Sequence, residues 1–141
     1  MSILFDTNIV LDVLLDREPF ALHSAQTLAL VEQGQIRGYL CATTITTLFY
    51  LCKRAQTAQH AKQSIDTLLK LFDIAPVNRT VLSHAIETGF ADFEDAVLHE
   101  AARLTGCHGI ITRNVRDFAC ASLPIYTPEE FLGIWTNGPR T

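Results

Sequence analysis

The chain has 141 residues, 48% of them apolar and 18% charged, with a formal net charge of −4. That balance excludes a disordered chain, and it excludes a protein that binds nucleic acid through a strongly basic surface. The length fits one domain over residues 1–141, large enough to bury a core.

No secretory signal is read at the start, because no basic segment precedes the apolar run and Asp6 and Asp12 interrupt it. No stretch reaches the roughly 18 uninterrupted apolar residues of a membrane helix. The expectation is a cytoplasmic protein without a membrane partner. Cys41, Cys52, Cys107 and Cys120 form no Cys-x-x-Cys pair and read as reduced, mostly buried thiols. Cys107 beside His108 lacks a second close pair to complete tetrahedral zinc ligation.

In chain order, residues 2–6 predict a strand, and Thr7 or Asn8 can cap a helix running to about Asp16. Pro19 suits the first turn of a second helix, with Leu22, Ala25, Leu28, Ala29 and Val31 inward and Gly34 as its stop. A strand follows over "IRGYLCA", 36–42, and a helix from Thr43 or Thr44 to Arg54. Thr57 caps a helix with Ala61, Ile65, Leu68, Leu69 and Phe72 on its apolar face. "DIAPV" reads as a short strand, 79–88 as a helix, and Asp92 to Thr105 as another helix stopped by Gly106. "HGIIT", 108–112, and "LPIY", 123–126, are the last strands, and Thr127-Pro128-Glu129-Glu130 opens a final helix with a capping-box pattern. Strands separated by helices require crossovers. The fold class is therefore α/β: a three-layer α/β/α sandwich around a mostly parallel five-stranded sheet.

In such sheets, sites form where strand carboxyl ends meet helix amino ends. Three separate segments bring acids there. Asp6 ends the first strand, "DFEDA" opens a helix with Asp92, Glu94 and Asp95, and Asn114 and Asp117 follow the strand that ends near Thr112. Clustered carboxylates repel one another unless a cation compensates them, and Mg²⁺ or Mn²⁺ takes such oxygen ligands. A cation held this way can activate water for attack on a phosphodiester. Taken singly, Asp92 reads as a helix cap and Asp117 as a turn residue. Asp6 fits capping least, because Thr7 and Asn8 already offer that role. The coincidence of all three segments favours a site.

These residues resemble the PIN-domain family, acidic-site ribonucleases that include the VapC toxins of bacterial toxin–antitoxin pairs. "LFDTNIVLD" resembles the family's opening motif and "EDAVLHEAARLTGCHGIITRNVRDF" its closing block, so the match spans nearly the whole chain. The resemblance implies metal-dependent endonucleolytic cleavage of RNA, a tRNA or another structured or single-stranded segment. Asp6, Asp95 and Asp117 would hold Mg²⁺ or Mn²⁺, directly or through water. Asn8, Thr112 and Asn114 would hydrogen-bond ligands, water or phosphate. It also implies a small cognate antitoxin and a homo-oligomer, a dimer. The surfaces considered for these contacts are Leu48-Phe49-Tyr50-Leu51 and Phe131-Leu132-Trp135, with core packing as the alternative.

One departure stands out. Many members carry a Glu early in the helix after the second strand, and the matching position here is Thr47, as in a subgroup with a neutral residue there. Asp92 is hypothesised to replace that carboxylate, giving a catalytic set of Asp6, Asp92, Asp95 and Asp117. Arg113, Arg116, Lys53 and Arg54 are candidates for phosphate contacts. Asp12 reads as a surface or supporting residue. The alternative is a catalytically silent PIN-like module that binds RNA or protein. A haloacid-dehalogenase-type phosphatase fits less well, since Asn8 stands where that chemistry needs a second Asp.

Overall fold

A computed structural model describes residues 1–137. The opening apolar run forms β1 (Ser2–Phe5), followed by α1 (Thr7–Leu14) and α2 (Ala21–Glu32). Then come β2 (Arg37–Cys41), α3 (Ala42–Ala55), α4 (Ala58–Leu71) and β3 (Asp73–Ala75). The second half holds α5 (Arg79–Ile86), α6 (Phe93–Thr105), β4 (Gly109–Ile111), a 3₁₀ turn (Val115–Phe118), β5 (Ile125–Tyr126) and α7 (Pro128–Asn137). The five strands form one sheet in the order β3-β2-β1-β4-β5, and every pairing is parallel.

Both faces of the sheet are covered, so its strands are mainly apolar rather than alternating, with polar Ser2, Arg37 and Asp73 at strand starts. Side chains still alternate between faces. Ile3, Phe5, Leu40 and Ile111 pack with α1, α2, α3, α4 and α7, while Leu4, Cys41, Ala75 and Ile110 pack with α5 and α6. Gly38, in the middle of β2, is required by packing: a Cβ there would come within 2.7 Å of the Phe72 ring, which meets Phe5 edge-on.

The expected helix signals hold at several ends. Thr57 accepts from the His60 amide at 3.1 Å. Gly106 closes α6 with φ +90, a left-handed conformation that costs glycine little. Thr127 and Glu130 form the reciprocal capping box at 3.0 and 3.1 Å.

Three expectations need correction. The cap of α1 is Asp6 itself, which accepts from the Thr7 amide at 2.7 Å. The buried face of α2 runs through Ala21, Ser24, Thr27, Leu30 and Val31, and Leu22 is 62% exposed. Apolar residues occur all round that helix, so periodicity alone does not choose its inner face. Leu69 is likewise exposed, while the rest of the expected face of α4 turns inward. No helix among the described residues is long and apolar enough to cross a membrane.

The chain leaves β1 for β2 on one side and returns to β4 on the other. The carboxyl end of β1 is therefore the switch point of the sheet, where the loops on either side diverge and leave a crevice. Asp6 stands at that point.

Candidate active site

The crevice is a cleft of about 230 Å³. Asp6, Thr7 and Asn8 line its floor, Thr43 and Thr47 of α3 one wall, and Glu94 and Asp95 of α6 another, with Asn114 at the rim. Asp6 is 7% exposed, an unusual setting for a carboxylate. Its backbone amide donates to the Ile111 carbonyl at 2.9 Å, continuing the β1–β4 ladder. Its side chain accepts from Thr7 N and, at 2.7 Å, from the Thr112 hydroxyl, which also accepts from Asn114 N at 3.0 Å. Asn8 spans the same gap: Nδ2 donates to Asp6 Oδ2 and Oδ1 accepts from Arg113 N, both at 3.4 Å. Capping thus explains one contact of Asp6 but neither its burial nor its tie to Thr112.

The electrostatics show that the acids converge. Burial pushes the Asp6 carboxyl above its ordinary value; hydrogen bonds from Thr112 and Thr7 work against this, and the charges of Glu94 and Asp117 add to it. Asp95 is pushed up to about 7, first by burial and then by the charges of Asp6, Asp92, Asp117 and Glu94. All three acidic segments therefore share one electrostatic neighbourhood. No three His, Cys, Asp or Glu side chains among the described residues stand close enough to grip one metal ion unaided. The donor set is nonetheless all oxygen, which fits a hard cation that keeps part of its water shell.

The expected residues occupy different positions within this neighbourhood. Asp6, Asn8, Asp95 and Asn114 line the cleft, and Thr112 lies buried beneath it. Asp117 is exposed on the 3₁₀ turn, in an adjoining depression with Arg113, Arg116 and Thr127. Asp92 lies outside the lining: its side chain turns back on α6 as the N-cap and accepts from Asp95 N at 3.0 Å. Glu94, absent from the expected set, takes a place in the wall. Its position beside Asp95 in "DFEDA" was the available signal. Thr47 also faces the cleft rather than only packing its helix.

Two further expectations change. Asp12 is wholly buried and paired with Arg17 at 3.0 Å and Arg113 at 2.6 Å. Arg113 also lies 3.9 Å over the Phe20 ring, so its guanidinium is committed to the fold rather than offered to phosphate. Of the proposed contact surfaces, Leu48 and Phe131 are core, while Tyr50 is 63% exposed. All four cysteines are free, and Cys120 alone among them is exposed. Burial drives the Cys107 thiol up to about 12, which leaves it inert.

Known proteins share this architecture. VapBC2 from Rickettsia felis, solved with a DNA fragment from its promoter, superposes with a TM-score of 0.71 at 12% identity, covering 90% of this chain and 98% of that one. A toxin–antitoxin complex from Klebsiella pneumoniae gives 0.67 at 24% identity, covering 89% and 96%. VapC20 of Mycobacterium tuberculosis, a toxin that cleaves the sarcin–ricin loop, gives 0.62 at 12% identity, covering 77% and 86%. At these identities the likeness is one of fold. No curated protein sequence matches the chain. The PIN domain model, however, matches residues 2–116, from the first residue of β1 into the 3₁₀ turn, and so takes in Asp6, Glu94 and Asp95 together. With that match, the parallel sheet and the acidic crevice at its switch point, the chain belongs to the PIN-domain family.

Proposed function

We propose that the protein is a Mg²⁺- or Mn²⁺-dependent endoribonuclease and the toxin of a toxin–antitoxin pair. The observation that carries this reading is that the charges of Glu94 and Asp117 act on both Asp6 and Asp95, the two aspartates that line the cleft. Neighbouring carboxylates that hinder the ionisation of Asp6 and Asp95 form a poor arrangement for stability alone and a good one for a cation.

In this reading Asp6, Asp95 and Asp117 hold the cation, directly or through water, and Glu94 adds charge from the wall. When bound, the cation supplies an activated water and neutralises charge on the scissile phosphate. The protein's own residues prepare the place. Thr112 and Thr7 donate to Asp6 and fix both of its oxygens. Asn8 braces Asp6 against the loop after β4. Asp92, as cap of α6, holds the first helical turn that presents Glu94 and Asp95, and its charge reaches Asp95. Asn114 and the hydroxyls of Thr43 and Thr47 offer hydrogen bonds to phosphate or water. Exposed Arg116 remains available to the RNA backbone, a role that Arg113 cannot share while paired.

The toxin assignment, the cognate antitoxin and the homodimer extend the same reading. Family membership and the solved complexes of similar fold support them, as does the exposure of Tyr50 on α3. A second reading, a silent module that binds RNA or protein, draws on two observations. Helix α3 offers Thr43 and Thr47 to the cleft rather than a carboxylate, and no three ligand-type side chains converge unaided among the described residues. Calorimetric titration with Mn²⁺ separates the two. The nuclease reading expects one saturable binding event that Asp6→Asn abolishes; the silent module expects none.

A further inference from the structure

His99 lies on α6 one turn beyond Asp95 and takes no part in the cleft, yet it is 2% exposed and fully hydrogen-bonded. Its Nδ1 lies 2.7 Å from Glu100 Oε2. Burial opposes ionisation of Glu100, but hydrogen bonds from Arg103 and His99 outweigh it and hold its carboxyl below the usual carboxylate range. An ionised carboxylate only accepts, so the imidazole proton sits on Nδ1 and Nε2 presents a bare lone pair. That lone pair accepts from two backbone amides, Ser122 N at 3.1 Å and Leu123 N at 3.3 Å. Glu100 thereby sets the tautomer, and the tautomer makes the ring an acceptor for a distant loop.

That loop carries Asp117, and beyond the Arg113 contacts with Asp12 and Asn8 and the Cys120 contact with Gly89 it is fastened along its length. At its start Thr112 binds Asp6 and Asn114 N. In its middle Phe118 is buried with its ring edge-on to Phe90, which also packs on His99. At its far end the amides of Ser122 and Leu123 are held by His99. The last fastening links this loop directly by hydrogen bonds to the helix that presents Asp95.

We propose that His99 is a positioning residue that sets where Asp117 stands relative to Asp95, and so sets the affinity of the site for a divalent cation. The inference rests on the reading that these two carboxylates share one cation. The alternative is a core histidine that serves stability alone. Outer partners that orient ligands typically change metal affinity by about 10- to 100-fold when removed.

Two substitutions separate the roles. In His99→Gln the amide oxygen can take the place of Nε2 toward Ser122 and Leu123, and the Nδ1 contact with Glu100 is given up. In His99→Asn the shorter side chain keeps only the Glu100 contact. Mn²⁺ affinity is measured by calorimetry, and amide hydrogen exchange is followed over residues 119–124. The expected result is that His99→Asn weakens Mn²⁺ binding about tenfold and speeds exchange at Ser122 and Leu123. His99→Gln should restore both to within about twofold of the unsubstituted protein. Faster exchange in His99→Asn with unchanged Mn²⁺ affinity overturns the positioning role alone, as does unchanged exchange. If the unsubstituted protein binds no Mn²⁺, the cation reading falls, and this inference falls with it.

Discussion

The Thr112 hydroxyl donates to Asp6 Oδ2 at 2.7 Å across 106 residues of sequence. It joins the ends of two adjacent parallel strands and satisfies an oxygen of a buried carboxylate. Thr112→Val keeps the shape and removes the donor. That oxygen then keeps only the long contact from Asn8 Nδ2, and the loss of the short bond is expected to cost about 1–3 kcal/mol in denaturant unfolding at neutral pH. Thr112→Ser, which retains the hydroxyl, should recover most of the loss. Equal stability of the Val and Ser variants would show that the bond contributes nothing.

Asp95 predicts a pH dependence of known sign. Its carboxyl is raised from 3.8 to about 7 in the folded protein, so the folded state holds a proton that the unfolded state has released. Stability without metal is then highest below the unfolded value and falls as pH rises through the interval up to about 7. Asp95→Asn should remove much of that slope and leave a protein more stable than the original at pH above this interval. Thermal melts across the range check it. Mn²⁺ affinity should move the other way, strengthening as pH rises through about 7, because the cation competes with the proton on Asp95.

Arg113 tests whether the cation beside the cleft serves the fold or the RNA. Arg113→Ala leaves Asp12 fully buried with Arg17 as its remaining charged partner. A loss of about 2–4 kcal/mol is expected in denaturant unfolding, near the range for breaking buried pairs. Arg116→Ala, at an exposed position, should leave stability within about 0.5 kcal/mol. A stable Arg113→Ala protein with weakened RNA binding would reverse this assignment.

The contrast between Glu94 and Asp92 decides which acid stands in for the missing helix carboxylate. Glu94 lines the cleft and Asp92 caps α6. Glu94→Gln should weaken Mn²⁺ binding several-fold more than Asp92→Asn, since Asn caps a helix about as well as Asp. Calorimetry that ranks them the other way would return Asp92 to the leading position.

The strand and helix pattern was legible because strands buried on both faces leave short apolar runs, and Thr57, Gly106 and the Thr127–Glu130 box mark helix ends by local chemistry. Asp6 was legible too, as a charge ending such a run. What escaped depends on side-chain direction. Whether Asp92 faces the cleft or its own helix turns on one rotamer and cap geometry, and spacing three residues from Asp95 does not decide it. Asp12 looked like surface because its partner Arg113 lies 101 residues away in sequence. The inner face of α2 was hidden by apolar residues on every side of the helix. His99 carried no signal in the sequence, because its partners Ser122 and Leu123 lie more than twenty residues away.

The most direct test of the central claim is cleavage of a structured RNA, such as bulk tRNA, by the purified protein with Mn²⁺, with excess EDTA, and as Asp6→Asn with Mn²⁺. The account predicts discrete cleavage products in the first reaction and none in the other two, with the Asp6→Asn protein folded by circular dichroism. Products that persist in EDTA or with folded Asp6→Asn, or no cleavage by the unsubstituted protein with Mn²⁺, would contradict it.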